Sequence, residues 1–299
     1  MHEKNKYKSA DEGEKMKKFL AIMMSCLTAA ACCFAFTACG GKKLKVYAEY
    51  ELTAESYAFL VKKGNSELVN SVNGVLDEIK ANGELDNIIN SFFNGTATFT
   101  YTNPVSEIPT DHNTYFIVAT NAYFPPFEYY EGDKLTGVDM QIASLIAAKL
   151  NKTLYIADMG FDSIFTSVNS GESDIGMAGI TVNEARKAIY DFTDEYYESA
   201  QVLIVAEDDT VFADCKSAED IEKVFKTQDK NFKVGTQIAT TGYMYMAGDV
   251  DFGYDGFKNL TTESYKNGAL AAKDLSNGKI NAVVIDKQPA IMIAKSING

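Results

Sequence analysis

Short apolar runs and segments of helical periodicity alternate along the second half of the chain. The apolar runs are typical of buried strands and occupy 116–120, 154–156, 175–178, 201–206 and 281–286, and a further strand is expected at 233–237. The segments with helical periodicity cover 138–150, 161–168, a stretch from about 241, and a stretch around 265–275. Because strands that alternate with helices form parallel sheets covered by helices, the pattern predicts an α/β fold. It occurs twice, with a joint near residues 203–208, which predicts two lobes and a cleft.

The front of the chain predicts two further amphipathic helices. Apolar side chains recur at helical spacing over 65–93, with an interruption at Asn82 and Gly83. This piece is too small to bury a core of its own, so we expect it to pack on the rest of the chain. Residues 96–112, rich in Thr and containing Pro104 and Pro109, are predicted to form a linker.

The N-terminal residues have the order of a secretory signal. Met16, Lys17 and Lys18 precede an apolar stretch over 19–36 and the small residues around Cys39. We therefore predict a signal peptide over 1–38, with residues 1–15 as an extended start. Residues 36–39 resemble a bacterial lipobox, which implies that Cys39 becomes a lipidated N-terminus followed by a short tether, 39–43.

Composition excludes several functional classes. The formal net charge is −13, and removal of residues 1–38 leaves 22 basic and 37 acidic side chains, which disfavours nucleic-acid binding. Beyond the predicted signal and Cys39, the chain has one cysteine, Cys215, and one histidine, His112. A His/Cys metal cluster or an internal disulfide is therefore not expected, and we predict no cofactor.

Arg186 is the one arginine among 28 basic residues. A guanidinium binds a carboxylate through two parallel hydrogen bonds, which lysine does not reproduce. Thr181 and Glu184 have the spacing of a capping box, which predicts a helix start beside Arg186 and an anion site there. The alternative is a capped helix whose arginine pairs with Asp191 or Asp194 at the surface.

Several segments together resemble the polar amino-acid solute-binding proteins of ABC transporters, bacterial extracellular solute-binding protein family 3. They are 119–128, 137–140, 171–186, 191–197, 236–242 and 275–286. The resemblance implies a two-lobed, periplasmic-binding-protein-like (type II) clamshell. It also implies an extracytoplasmic receptor, anchored by lipid to the outer face of the cell membrane, that delivers a free polar amino acid to an ABC permease.

The order of the segments differs from that of the family. The stretch 57–93 resembles the closing segment of family members, which follows the equivalent of residue 299 in them. We therefore predict a circular permutation, with a gene fragment fused to a truncated neighbour as the alternative. The larger lobe is expected over 53–203, as a permuted tail 53–95, the linker and a body 113–203. The smaller lobe is expected over 204–299 plus 44–52.

The resemblance also implies a ligand site. The ligand carboxylate is expected at Arg186 and the Thr181 backbone, closed over by Thr241 and Gly242 from the other lobe. The ammonium is expected at Asp286, helped by the Gly179 carbonyl and the Thr181 hydroxyl. Phe124 and Phe161 are expected to sandwich the ligand side chain, and Asn121 and Gln237 to line the distal pocket.

Alternatives remain for several of these assignments. Without the family, Phe124 and Phe161 are ordinary core residues, and Asp286 is a helix N-cap. Relatives that prefer cationic amino acids often carry an acid where this chain has Asn121, so a neutral ligand such as glutamine is as plausible as arginine or lysine. Two other functions stay open, a dehydratase-like enzyme on the same fold and a ligand-sensing subunit of a receptor.

Overall fold

The computed structural model describes residues 41–299, so the predicted signal peptide and the lipidation site Cys39 lie outside the described residues. The strands are Leu44–Val46 (β1), Glu55–Tyr57 (β2), Leu60–Lys62 (β3), Tyr115–Thr120 (β4), Tyr123–Phe124 (β5), Glu128–Glu131 (β6), Lys134–Thr136 (β7), Thr153–Asp158 (β8), Ile175–Gly176 (β9), Tyr190–Phe192 (β10), Tyr197–Ser199 (β11), Gln201–Ala206 (β12), Lys233–Gln237 (β13), Thr261–Tyr265 (β14) and Ala282–Asp286 (β15). The helices are Ser66–Ala81 (α1), Glu84–Phe93 (α2), Val138–Lys149 (α3), Phe161–Ser170 (α4), Glu184–Ile189 (α5), Ala218–Thr227 (α6), Thr241–Ala247 (α7), Gly268–Ser276 (α8) and Lys287–Asn298 (α9). In this described part, we find no helix with the length and hydropathy that crossing a bilayer requires.

Two five-stranded sheets organise the described residues, and each forms the centre of one lobe. The sheet of the larger lobe has the order β10-β3-β9-β4-β8, with β4 parallel to β8 and β9. The sheet of the smaller lobe has the order β1-β12-β15-β13-β14, with β13 parallel to β14 and β15. Strands that run parallel and are covered by helices have few polar positions, and β15 is buried along its whole length.

The front of the chain is built into the larger lobe. Strand β3 lies between β10 and β9, antiparallel to both. Helices α1 and α2 bury an apolar stripe that includes Val72, Leu76 and Phe92, in one core with Phe116 and Val118 of β4. The amphipathic helices predicted from 65–93 therefore obtain from the rest of the lobe the core that they are too short to form alone.

A two-stranded ribbon joins the lobes. Strands β2 and β11 pair antiparallel, with Tyr57 opposite Tyr197 and Glu55 opposite Ser199. The chain enters the larger sheet after β2 and enters the smaller sheet after β11. A paired ribbon with one crossing on each strand has the construction of a hinge between two rigid lobes.

Three sequence-based boundaries need correction. The helix predicted around 265–275 begins only at Gly268, because Thr261–Tyr265 pairs with β13 as a strand. The segment 44–52, assigned from the sequence to the smaller lobe, is a strand only from Leu44 to Val46, after which a turn closes with Tyr50 N–H donating to the Tyr47 carbonyl. Strand β12 pairs with β15 from Gln201 onward, so the change of lobe precedes residue 203.

Candidate functional site

A small cavity lies between the two lobes, at the ends of their central strands. Its volume is about 10 Å³, which is room for one water molecule. Nine of the ten predicted ligand-site residues line it, namely Asn121, Phe124, Phe161, Gly179, Thr181, Arg186, Gln237, Thr241 and Asp286. The tenth, Gly242, follows Thr241 in α7 and is buried. The structure therefore brings together residues that are spread over more than half of the chain.

Arg186 is buried in the wall of this cavity. Its Nη1 donates to the Thr181 carbonyl at 2.6 Å, and its Nη2 crosses the cleft to the Ala239 carbonyl at 3.0 Å. The guanidinium also lies over three aromatic rings, 5.0 Å from Phe165, 5.6 Å from Phe252 and 6.0 Å from Phe161. Burial lowers its pKa to about 10, opposed by the negative charges of Glu55 and Asp286. Because the carbonyls and rings around the guanidinium are neutral, its positive charge is not neutralised by them and can pair with an anion.

The capping box expected at Thr181 and Glu184 is not formed. Helix α5 begins at Glu184, and Asn183 caps it by accepting a hydrogen bond from Arg186 N–H at 2.8 Å. The Thr181 hydroxyl donates instead to Glu55 Oε2 at 2.5 Å. The surface alternative for Arg186 is also excluded, since the guanidinium is 5% exposed and Asp191 pairs with Lys63.

Asp286 closes the other end of the polar wall. It is the last residue of β15 and stands at the N-cap of α9, but its side chain makes no capping hydrogen bond. Its Oδ1 accepts a hydrogen bond from the Tyr57 hydroxyl of the larger lobe. Burial, followed by the charge of Glu55, raises the pKa of Asp286 to about 7. The N-cap interpretation therefore does not account for this carboxyl, which faces the cavity.

Phe124 and Phe161 form the apolar walls. Both belong to the buried core and both border the cavity, so the two interpretations of these rings are compatible. Gly179 sits against Phe124 with φ +52°, and a Cβ there would lie 2.7 Å from Phe124 Cε1. Glycine is thus needed both for the backbone conformation and for the space beside the ring.

Two amides close the distal end. Gln237 Nε2 of the smaller lobe donates to Asn121 Oδ1 of the larger lobe at 3.0 Å, and Asn121 Nδ2 donates to the Met159 carbonyl at 2.7 Å. A second cavity of about 520 Å³ shares Asn121 and Phe161 with the first, so Asn121 borders both.

Some polar groups on the cavity wall lack partners. Among residues 41–299, the Thr241 hydroxyl, Gln237 Oε1 and both oxygens of Glu128 are buried and have no hydrogen-bond partner. Gly242, beside Thr241, has no room for a side chain, because a Cβ would lie 2.6 Å from Gln201 Oε1. Buried polar atoms are nearly always paired, so a group of unpaired ones around one cavity indicates a binding site.

Sequence reasoning missed the acidic residues around the cavity. Glu55 is buried on β2, where it accepts from Thr53, Thr181 and Gln201. Glu128 lines the cavity and Asp139 lies behind Gly179, both fully buried. The one available signal was that Glu128 directly follows the Pro-Pro-Phe segment. With Asp286, four buried carboxyl groups lie on or behind the cavity wall, which also holds one guanidinium.

No metal site is gathered here. Between residues 41 and 299, no three His, Cys, Asp or Glu side chains are arranged to hold an ion. The groups on the cavity wall are a guanidinium, carboxyls, amides, hydroxyls and aromatic rings, which suit a small organic zwitterion.

Sequence comparison identifies similar proteins. A probable histidine-binding protein of Neisseria gonorrhoeae is 31% identical over 173 residues, which are 56% of this chain and 58% of that protein. An arginine-binding extracellular protein of Bacillus subtilis is 35% identical over 92 residues, 31% of this chain and 36% of that protein. The chain thus spans less than two thirds of the length of each of these relatives.

Structure comparison gives the same class of protein. An ancestral arginine-binding protein solved with arginine is 32% identical, with 61% of this chain and 74% of that chain covered and a TM-score of 0.51. The fold class predicted from the sequence, a type II two-lobed clamshell, is confirmed. Residues 116–284 match the family described as bacterial extracellular solute-binding proteins, family 3. The chain belongs to this family.

Proposed function

We propose that the chain binds a free α-amino acid in the cavity between its lobes and delivers it to an ABC importer. The observation that carries this proposal is the polarity of one small cavity. Within residues 41–299, a buried guanidinium without a carboxylate partner, Arg186, and a buried carboxyl, Asp286, face the same space from different lobes. An α-amino acid carries the two complementary charges on one carbon.

Each half of the ligand has its own partners in this proposal. The carboxylate lies against Arg186 and accepts from the Thr241 hydroxyl and the backbone at Gly242. The ammonium lies against Asp286 and donates to the Gly179 carbonyl and the Thr181 hydroxyl. Because Arg186 belongs to the larger lobe and Asp286 to the smaller, only a closed arrangement satisfies both charges.

The ligand side chain extends between the rings of Phe124 and Phe161 toward Asn121 and Gln237. Aromatic faces suit flat polar groups and cations, and the distal amides offer both donors and acceptors. The names of the two relatives refer to histidine and arginine. We propose a polar amino acid whose side chain bears a cation or an amide.

Closure links binding to transport. The cavity of about 10 Å³ is too small for an amino acid, so the lobes have to separate at the β2–β11 ribbon before the ligand enters. A permease can then distinguish the ligand-closed shape. A ligand-sensing subunit would close on its ligand in the same way. The sensing role therefore differs from the transport role only in the protein that recognises the closed form, a receptor instead of a permease.

The location follows from the family and from the N-terminal segment. Family members are extracytoplasmic. We propose that Cys39, outside the described residues, carries the lipid that anchors the mature chain to the outer face of the cell membrane. The test is mass spectrometry of the chain from its native membrane fraction, which detects a diacylglyceryl cysteine at the mature N-terminus if the proposal holds.

We also propose that the chain is a circular permutant, with a larger lobe over 53–203 and a smaller lobe over 204–299 plus 44–52. Because β12 pairs with β15 from Gln201 onward, the boundary near residue 203 moves to just before Gln201. Two facts support the permutation: the family match begins at residue 116, and β3 from the front is an interior strand of the larger sheet. The alternative, a gene fragment fused to a truncated neighbour, does not require the two pieces to complete one fold, each present once. Reordering the gene, with 53–95 moved after 299, is expected to yield a folded chain with the same ligand preference.

The binding proposal is tested with a thermal-shift screen of the full chain against the twenty amino acids, ornithine and cystine. A ligand present at 100 times its Kd stabilises the fold by about 2.7 kcal/mol, a readily measured shift. Arg186→Lys is expected to weaken binding about tenfold or more, since the bidentate pair is lost. Lys187→Arg is the matched control, because Lys187 is an exposed neighbour that pairs with Glu184. A screen without any shift, or equal affinity in the Arg186 variant, contradicts the proposal.

The enzyme alternative predicts a different outcome of the same incubation. The relatives compared above are binding proteins rather than enzymes. If this chain is a receptor, an amino acid that shifts its melting temperature is recovered unchanged after overnight incubation. Conversion to a new product, detected by mass spectrometry, supports the dehydratase-like enzyme instead.

A further inference from the structure

Glu128 is a buried carboxyl to which the proposed ligand geometry assigns no role. It lies on β6, has no exposed surface and borders the cavity. Neither of its oxygens has a hydrogen-bond partner in the described part of the chain. An ionised carboxylate buried without a partner is costly, so this side chain requires an explanation.

Asp139 lies beside Glu128 because the start of α3 packs against the residue that precedes β6. Asp139 N–H donates to the Phe127 carbonyl at 2.9 Å, and a Cβ at Gly137 would lie 2.1 Å from that oxygen. The carboxyls of Glu128 and Asp139 are neighbours in this arrangement, and each shifts the pKa of the other. Both Asp139 oxygens already accept, from the Tyr196 hydroxyl at 2.6 Å and from Gly179 N–H at 3.0 Å.

Two adjacent carboxyls in an enclosed site do not both ionise, whereas a single proton between them makes a strong hydrogen bond. The charged groups that face Glu128 are Asp139 on α3, Asp286 at the end of β15 and Asp158 at the end of β8. Arg186 lines the same cavity. Burial first, and then these acidic neighbours, raise the pKa of Glu128 well above its ordinary value. Burial raises the pKa of Asp139 to about 7, opposed by its three hydrogen bonds.

We propose that Glu128 is a positioning residue that holds a proton and donates it to Asp139. The bond fixes the Asp139 carboxylate, and Asp139 in turn fixes the N–H of Gly179. Gly179, with φ +52°, belongs to the segment that contacts the ligand ammonium, so this inference rests on the proposed function. Loss of the Glu128 proton places two negative charges side by side and displaces the turn at Gly179.

The test uses three variants of the full chain, titrated calorimetrically with L-arginine, L-histidine and L-glutamine. Glu128→Gln keeps a permanent donor to Asp139 and is expected to bind within about threefold of the unaltered chain at pH 7. Glu128→Ala removes the donor and is expected to bind about tenfold or more weakly. Glu131→Gln is the control, an exposed glutamate on the same strand.

Two further readouts separate positioning from a merely structural role. Above pH 7 the unaltered chain is expected to lose affinity relative to Glu128→Gln, because only the acid can lose its proton. The infrared spectrum of the unaltered chain at pH 7, minus that of Glu128→Gln at the same pH, should contain a protonated carboxyl band.

Three results overturn the inference alone: no such band, full affinity in Glu128→Ala, or a loss of tenfold or more in a folded Glu128→Gln. If no amino acid binds the unaltered chain, the proposed function fails as well.

Discussion

Asp286 gives the site a pH dependence that can be calculated from the structure. Burial and the neighbouring Glu55 raise the pKa of this carboxyl to about 7. The ammonium of the ligand requires the ionised form, which is about one half of the molecules at pH 7 and about one in a hundred at pH 5. The apparent affinity falls in proportion to the competent fraction, so Kd is expected to rise about fiftyfold between these pH values.

Isothermal titration of the full chain with L-arginine, or with whichever amino acid gives the largest thermal shift, measures this change at pH 5, 6 and 7. Asp286→Asn serves as the reference, because its amide does not titrate. It is expected to bind more weakly at pH 7 and to vary much less with pH, and any remaining slope reports other groups such as Asp139. In the unaltered chain, binding should release protons near pH 7, seen as a dependence of the heat on buffer ionisation. A Kd that stays constant from pH 5 to 7, or equal slopes in the two proteins, refutes the assignment of the ammonium to Asp286.

Three further predictions concern stability, the cavity wall and the cleft. Because the pKa values of Asp139 and Asp286 are raised to about 7, their stabilising protons are fully present below their ordinary pKa of about 4 and are lost as pH rises through 7. The free energy of unfolding without added amino acid, measured by urea titration, should therefore be lower at pH 8 than at pH 5, and Asp286→Asn should reduce the difference. Gly179→Ala should abolish measurable binding in a chain that still melts cooperatively, since the new methyl collides with Phe124; calorimetry with an unchanged Kd would contradict it. Phe252→Ala removes a ring from the Arg186 guanidinium and should weaken binding about two- to thirtyfold, mainly through faster dissociation in stopped-flow experiments, while Phe252→Leu retains part of the contact.

The periodic segments of the fold were predictable, and the irregular ones were not. β4 and β12 are largely continuous apolar runs, and runs of that kind in an alternating α/β pattern have few other solutions. The segment 261–265 carries no such run. Its residues are half-buried at the edge of the smaller sheet, so pairing with β13, invisible in the sequence, decides its conformation.

The residues of the site also divide into those that the sequence predicts and those that it does not. Arg186 was detectable because a single guanidinium among lysines is unusual, and the cavity contains it. Glu55 is one of 41 acidic residues and carries no sequence signal of burial, and the only signal for Glu128 was its position after the Pro-Pro-Phe segment. Asn183, rather than Thr181, caps α5, because the Thr181 hydroxyl is already used by Glu55 on a strand more than a hundred residues earlier. Local capping rules do not include such a distant competitor.

Hydrogen bonds between the lobes already exist without a ligand, so the binding free energy has to come from interactions that these bonds do not provide. Arg186 donates across the cleft to Ala239, Gln237 to Asn121, and Tyr57 to Asp286, so several of the groups that would bind an amino acid already pair across the cleft. A ligand replaces these bonds, and its net gain is the charge pairing that neutral carbonyls and a phenol do not provide. Analogues that lack one of the two charges, such as an amino-acid amide without the carboxylate or an N-acetyl amino acid without the ammonium, make one of the two replacements without that gain. Their affinity should therefore fall by more than the loss of one ordinary hydrogen bond, which makes them a sharper probe of the clamp than changes in side-chain length.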